Sequence, residues 1–243
     1  MIPPLDGSTQ ARRGLAILAH PDDVDFNAAG TVAKWVKAGI EVTYLLVTSG
    51  DAGGFGSVSR EKIASTRRRE QIEAGRIVGV TDVRFLEGYP DGKVQVTEGL
   101  VKDIVRVIRE VRPHLVLSMS AERDWFRVHQ GHPDDLAVGE ATARAVYPAS
   151  RNPFAFPELV ENENLQAWTV EELWIQAHPR PNHAEDIANE MDLKLEAVLA
   201  HVSQHPNPAA VAEALQSRMH DNADAMGLPK ERFVETFLKV SSL

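Results

Sequence analysis

The chain has 243 residues, 43% hydrophobic and 25% charged, enough apolar material for a sizeable core and a length that suits one domain better than two. It holds no cysteine, which excludes disulfides and thiolate metal sites, so a bound metal must rely on histidine and carboxylate. A formal net charge of −9 opposes a polyanion, and no apolar run nears the roughly 20 residues of a bilayer span, so neither nucleic acid nor membrane is expected as a partner.

The opening segment, "MIPPLDGSTQARR", is polar and proline-containing and lacks the apolar stretch of a secretory leader. With the missing cysteines this fits a cytoplasmic protein. "RGLAILA" (13–19) and "EVTYLLVT" (41–48) are short, apolar and β-rich, as strands buried on both faces are. Between them "NAAGTVAKWVKAG" repeats apolar residues at helical spacing and stops on Gly39. Such a β-α-β crossover implies parallel strands. A long helix is expected over about 59–78 with Ser59 as its cap, then a strand at 83–86 and a turn at "YPDGK" (89–93). The helix carries the chain's basic cluster, Arg67, Arg68 and Arg69, flanked by Glu61, Glu70 and Glu73; a solvated face with salt bridges accounts for two of the three arginines.

Thr97 leads into a helix whose Leu100, Ile104, Val107, Ile108 and Val111 share one face, and "HLVLSMS" (114–120) is the next strand. A polar stretch, "AERDWFRVHQGHPD", separates it from a helix starting near Asp135. This alternation over the first 147 residues predicts an α/β fold, a three-layer Rossmann-like domain with a mostly parallel sheet. Beyond it come a proline-rich loop (148–159), a strand (171–177) and two helices (187–202 and 207–227), so residues 1–243 read as a single domain.

Ligands of a parallel α/β sheet bind beyond the carboxyl ends of its strands. "AHPDD" (19–23) follows the first strand, "TSGDAGG" (48–54) the second, and a second "HPDD" (132–135) comes after the fourth. A hydrolytic metal site needs about three protein ligands, an open position and an uncoordinated base. In the first copy Pro21 fixes the backbone, His20 and Asp23 can turn to one ion, and Asp22 is left to take a proton from water. A blander reading makes these residues helix caps and surface ion pairs. The second copy on the same rim argues against it.

Together these motifs resemble the LmbE / PIG-L family of metal-dependent N-deacetylases of N-acetylglucosamine conjugates and related amidases, whose actinobacterial members act in mycothiol chemistry or antibiotic tailoring. The similarity spans roughly residues 13–205 and includes "REQIEAGRIVGV", "LEGYPDGKV" and "LKLEAVLAHVSQ". By position it implies that His20 and Asp23 bind zinc and that Asp22 is the general base. The family's second motif, His-x-Asp-His, falls on His132, Asp134 and Asp135, so an aspartate stands where relatives place their third ligand. His132 is then the group that stabilises the oxyanion or protonates the amine.

Three readings of that departure stay open. Asp135 binds the ion itself, which needs no change of backbone register and is favoured; or His129 or His132 takes the position; or the site is degraded and the fold serves as a binding module. Two carboxylates with one histidine cancel a +2 charge, which makes harder ions such as Mn²⁺ better competitors with Zn²⁺. The resemblance also implies substrate contact for Arg67, in an R-x-x-E pattern completed by Glu70. The glycine-rich stretch 50–57 lacks the Lys-Ser/Thr of a phosphate-binding loop and reads as a rim touching a sugar. Trp125, Phe126, Phe154 and Phe156 bracket the second motif as a pocket wall, with core packing expected for at least two, and His183 lies on a loop within reach of the rim. The implied activity is removal of an N-acyl group from a small glucosamine-containing conjugate, a mycothiol S-conjugate-type amidase being the alternative. A small sugar-amide is the expected partner, and a homo-oligomer is compatible with the sequence.

Overall fold

The computed structural model describes residues 12–54, 58–128 and 131–243. The chain runs β1 (Arg13–Leu18), α1 (Asp23–Lys37), β2 (Glu41–Leu46), α2 (Arg60–Val78), β3 (Asp82–Phe85), α3 (Glu98–Val111), β4 (Leu115–Ser118), α4 (Pro133–Arg144), α5 (Pro157–Glu161), β5 (Glu172–Gln176), β6 (His183–Asp186), α6 (Met191–Leu199), α7 (Pro208–Ala225) and β7 (Val234–Ser241). One seven-stranded sheet has the order β3-β2-β1-β4-β5-β7-β6. Its first five strands are parallel, and β7 runs antiparallel to both β5 and β6. Helices α1, α2 and α6 pack together on one face, and α3 packs with α4 on the other. The fold is the expected α/β arrangement with a mostly parallel sheet.

The apolar runs explain the centre of the sheet. Leu15, Ala16, Ile17 and Leu18 of β1 have no exposed surface, because helices cover both faces of this strand. Capping residues set several helix starts. Ser59, Thr97 and Asn207 each accept a backbone N–H from the first turn of α2, α3 and α7. Helix α1 begins at Asp23, earlier than its apolar spacing suggests, because the chain reverses within Ala19–Asp22 and Asp22 adopts φ 86°. Among the described residues no helix is long and apolar enough to cross a membrane.

Strands β6 and β7 are not evident in the sequence, and β6 corrects the expectation for His183. This residue lies at the sheet's edge, where Nε2 contacts Glu185 Oε1 at 2.9 Å and the ring packs on Trp174, so it does not reach the rim. The aromatic expectation also changes. Trp125, Phe126 and Phe154 are 78%, 99% and 87% exposed, and of the four only Phe156 packs on the core.

A buried ion pair grips the middle of α1. Lys194 of α6 and Glu235 of β7 meet at 2.7 Å with fully buried side chains. Lys194 Nζ also donates to the carbonyls of Asp25 and Phe26 at 2.9 and 2.8 Å, and the Glu235 carboxylate accepts from the amides of Gly30 and Thr31 at 3.0 and 2.7 Å. Burial lowers the Lys194 pKa and Glu235 opposes that shift. Removing one partner strands a charge in the core, so Lys194→Met should cost about 3–5 kcal/mol in urea denaturation. Lys194→Met/Glu235→Gln, which removes both charges, should recover part of that loss; a single variant within about 1 kcal/mol of the parent would show that the pair is not a clamp.

Candidate functional site

The strand order reverses between β1 and β4, and the crevice beyond their carboxyl ends is where such sheets bind ligands. Four loops deliver acidic or imidazole side chains there: the β1–α1 turn with His20, Asp22 and Asp23, the loop after β2 with Asp51, the turn after β3 with Asp91, and the start of α4 with His132, Asp134 and Asp135.

His20 is buried among four carboxylates. Its Nδ1 faces Asp23 Oδ2 at 3.5 Å and Asp135 Oδ1 at 3.3 Å, while Nε2 faces Asp91 Oδ1 at 3.1 Å and Asp134 Oδ2 at 3.4 Å. The two sides differ in what else binds the carboxylates. On the Nε2 side Asp91 accepts from Ala52 N at 3.1 Å, and Asp134 accepts from Gly92 N at 2.7 Å and Val94 N at 3.1 Å. On the Nδ1 side Asp23 Oδ2 accepts from the His20 amide at 2.7 Å, but Asp135 Oδ1 is buried without a hydrogen-bond partner. Burial raises the Asp23 pKa and the Asp135 charge raises it further, with His20 opposing the shift, as for two carboxylates sharing one buried site. Burial disfavours charge on His20, yet the close approach of the Asp134, Asp135, Asp23 and Asp91 carboxylates raises its pKa far above the usual histidine range. The pocket attracts positive charge.

Among the described residues two groups bring ligand atoms within 4.8 Å of one another: His20, Asp23 and Asp135, and His20, Asp91 and His132. His20 Nε2 and Asp135 Oδ1 are both buried without a hydrogen-bond partner, but the first group offers two carboxylates to balance a cation whereas the second relies on the exposed His132, so the first is the better fit. In that arrangement Asp91 and Asp134 would hold Nε2–H and so fix which nitrogen is free, as carboxylates behind metal-bound histidines commonly do. His132 is exposed and caps α4, its Nδ1 accepting from Asp134 N at 3.2 Å. The proton of the neutral ring therefore sits on Nε2. The ring meets His20 edge to face, with centroids 4.7 Å apart. His129 lies outside the described residues.

Asp22 is held from α2. Its amide donates to Gln71 Oε1 at 2.8 Å and its Oδ2 accepts from Arg67 NH2 at 3.1 Å. Burial pushes the Asp22 carboxyl up to about 6, with Arg67 pulling the other way. Arg67 is itself buried, also donating to Pro21 O at 2.7 Å and Gly50 O at 3.1 Å. These contacts make it a strut behind the first motif. Glu70 does not pair with it and instead accepts from the amide and hydroxyl of Ser203, both at 2.7 Å. Of the neighbouring arginines, Arg68 pairs with Glu87 and Arg69 bonds Thr66.

The guanidinium explains two of the glycines after β2. A Cβ on Gly50 or Gly53 would stand 2.3 or 2.4 Å from Arg67 NH1, and Gly50 has φ +63°. Residues 55–57 of that stretch lie outside the described residues.

Three groups at or near the rim are not singled out by the sequence. Asp91 reads there only as part of a turn, although "LEGYPDGKV" carries part of the family resemblance. Asp25 and His201 form a fully buried pair, His201 Nε2 lying 2.8 Å from Asp25 Oδ2. Burial lowers the His201 pKa, but the hydrogen bond and charge of Asp25 prevail and leave it raised.

The family model for GlcNAc-PI de-N-acetylase, PIG-L, matches residues 15–146. The chain belongs to the PIG-L family. Diacetylchitobiose deacetylase of Thermococcus kodakarensis is 33% identical over 196 residues, covering 80% of this chain and 71% of the relative. A probable N-acetyl-α-D-glucosaminyl L-malate deacetylase of Bacillus anthracis is 29% identical over 202 residues, covering 79% and 81%. Among solved structures, N,N'-diacetylchitobiose deacetylase of Pyrococcus horikoshii, bound to an inhibitor, superposes with a TM-score of 0.86 at 26% identity, covering 95% of this chain and 84% of that one.

The packing of Gly50 gives a test. Gly39 has φ +86° with nothing within 4 Å of an added Cβ, so Gly39→Ala should lose only the roughly 1–2 kcal/mol of a left-handed side chain. Gly50→Ala must also displace Arg67 and should lose at least about 1 kcal/mol more in denaturant titration. Equal losses would mean that Arg67 is not wedged against this loop.

Proposed function

We propose that this chain is a cytoplasmic, single-domain, metal-dependent hydrolase that removes the N-acetyl group from a small N-acetylglucosamine-containing conjugate. The observation that carries the reading is the buried, unpartnered Asp135 oxygen 3.3 Å from His20 Nδ1, beside Asp23. His20 Nδ1, Asp23 and Asp135 are the residues that would hold the ion, a one-imidazole, two-carboxylate set suited to Zn²⁺ with Mn²⁺ as competitor. A divalent ion held there polarises the amide carbonyl and makes water more acidic.

This chain's own residues do the rest. Asp22, anchored by Arg67, takes a proton as the oxygen of water bonds to the carbonyl carbon. The Nε2–H of His132 stands ready to stabilise the developing oxyanion, and the proton that Asp22 has taken from water passes to the nitrogen as the C–N bond breaks. The products are acetate and the free amine. Arg67 supports the base from behind. The substrate contact that the family resemblance implies for it would use the same guanidinium that orders the Gly50 loop.

Release of free amine from diacetylchitobiose and from glucosaminide-type N-acetyl conjugates, with and without chelator, tests the activity. The parent should release amine and lose that activity on chelation. His20→Ala, Asp23→Ala and Asp135→Ala should each lose the ion by elemental analysis, whereas Asp135→His should keep it. Asp22→Asn should retain the ion while turnover falls by roughly 10²-fold or more. Full metal in Asp135→Ala with loss in His132→Ala would hand the third position to the histidine.

A further inference from the structure

Asp22 is the one residue of the first motif whose backbone is left-handed, at φ 86° and ψ −22°, a conformation uncommon for a non-glycine residue and here braced by its surroundings. Helix α2 grips it twice, from two side chains one turn apart. Arg67 takes the carboxylate, and Gln71, with no exposed surface, takes the backbone amide.

The orientation of the Gln71 amide is not arbitrary. Its Nε2 donates to Asp25 Oδ2 at 2.9 Å, and a carboxylate can only accept. Oε1 must then face the other way, onto the Asp22 N–H. His201 Nε2 reaches the same Asp25 oxygen at 2.8 Å from just beyond α6, so side chains from three segments of the chain meet at one buried carboxylate oxygen. A glutamate at 71 would oppose a second carboxylate, and an apolar residue would leave the Asp22 amide unsatisfied in the interior.

We propose that Gln71 is a positioning residue of the deacetylation reaction: bonded at once to the Asp22 amide and the Asp25 carboxylate, it holds Asp22 in the left-handed conformation that presents its carboxylate to the attacking water. Asp25 and His201 act through it by fixing which end of its amide faces Asp22. The inference rests on the reading of Asp22 as the base.

The test uses the metal-loaded full chain with Gln71→Met, Gln71→Glu and Gln71→Glu/Asp25→Asn. The last exchanges donor and acceptor at constant charge. The carboxylate now at position 71 accepts from the Asp22 amide and from the side-chain amide now at position 25, while His201, whose Nδ1 has no partner, can move its proton there. Gln71→Met should lower kcat by roughly 10²-fold at unchanged KM and metal content, the scale of a misplaced reacting group. Crystal structures should show Asp22 leaving the left-handed region in Gln71→Met and returning to it in the exchange variant, whose kcat should recover to within a few-fold of the parent. A structural role alone would lower thermal stability and leave the kcat of the folded protein intact, overturning the proposal. If Gln71→Met does not fold, the exchange decides: a double variant no faster than Gln71→Glu also overturns it. If the parent releases no amine, the functional reading fails by itself, and the Asp22 backbone in the variant crystals still decides whether Gln71 sets it.

Discussion

Four carboxylates crowd one buried imidazole at the carboxyl end of β1, and much of the surrounding structure keeps that crowding tolerable. Like charges this close repel strongly wherever water is scarce. Backbone amides of the loops after β2 and β3 relieve Asp91 and Asp134, using N–H groups of Ala52, Gly92 and Val94 that need acceptors themselves. Asp23 accepts one amide, that of His20, and Asp135 Oδ1 accepts none. The asymmetry gives the ring two different sides, one braced by the fold and one open to a cation. It also explains how an aspartate can stand where the family motif has histidine: the proposed set keeps its donor count while gaining a negative charge.

The second support comes from α2, on the far side of the β1–α1 turn. Arg67 reaches from this helix to Pro21, Asp22 and Gly50, and so joins the loops after β1 and β2 through one buried guanidinium. Glycine at 50 and 53 is the steric condition for that reach. Below it Gln71, Asp25 and His201 continue the polar network into the interior, and the Lys194–Glu235 pair clamps the next turns of α1. Polar groups buried at this density are costly unless each is satisfied, and here most of the interactions converge on the helix that begins at Asp23. Rigid support for that helix is support for Asp22 just before it.

Much of this is legible in the sequence where periodicity and capping are strong. Double-sided apolar runs mark β1, β2 and β4; Ser59 and Thr97 mark helix starts; the two HPDD stretches, placed after parallel strands, had to share one rim. The C-terminal strands are harder. β6 is four residues long with two acidic side chains, and β7 is mixed in character because only part of it is buried. Nothing local distinguishes such strands from loop until β5 offers them a sheet edge. Arg67 stands out by its motif, but its direction depends on Gly50 and Gly53 in the loop before α2, a long-range fit that spacing along the helix does not reveal. Asp91 is hidden by its neighbours, since Pro90 and Gly92 already explain a turn. Its second duty, facing His20, appears only when β3 is placed beside β2.

The proposed metal site makes the Nδ1 side of His20 the cation side, and anomalous diffraction from crystals of the zinc-loaded protein tests this most directly. One strong peak is expected at about 2.0–2.2 Å from His20 Nδ1 and from oxygens of Asp23 and Asp135, with Asp91 and Asp134 still facing Nε2. A peak bonded instead to His20 Nε2, Asp91 and His132 would contradict it.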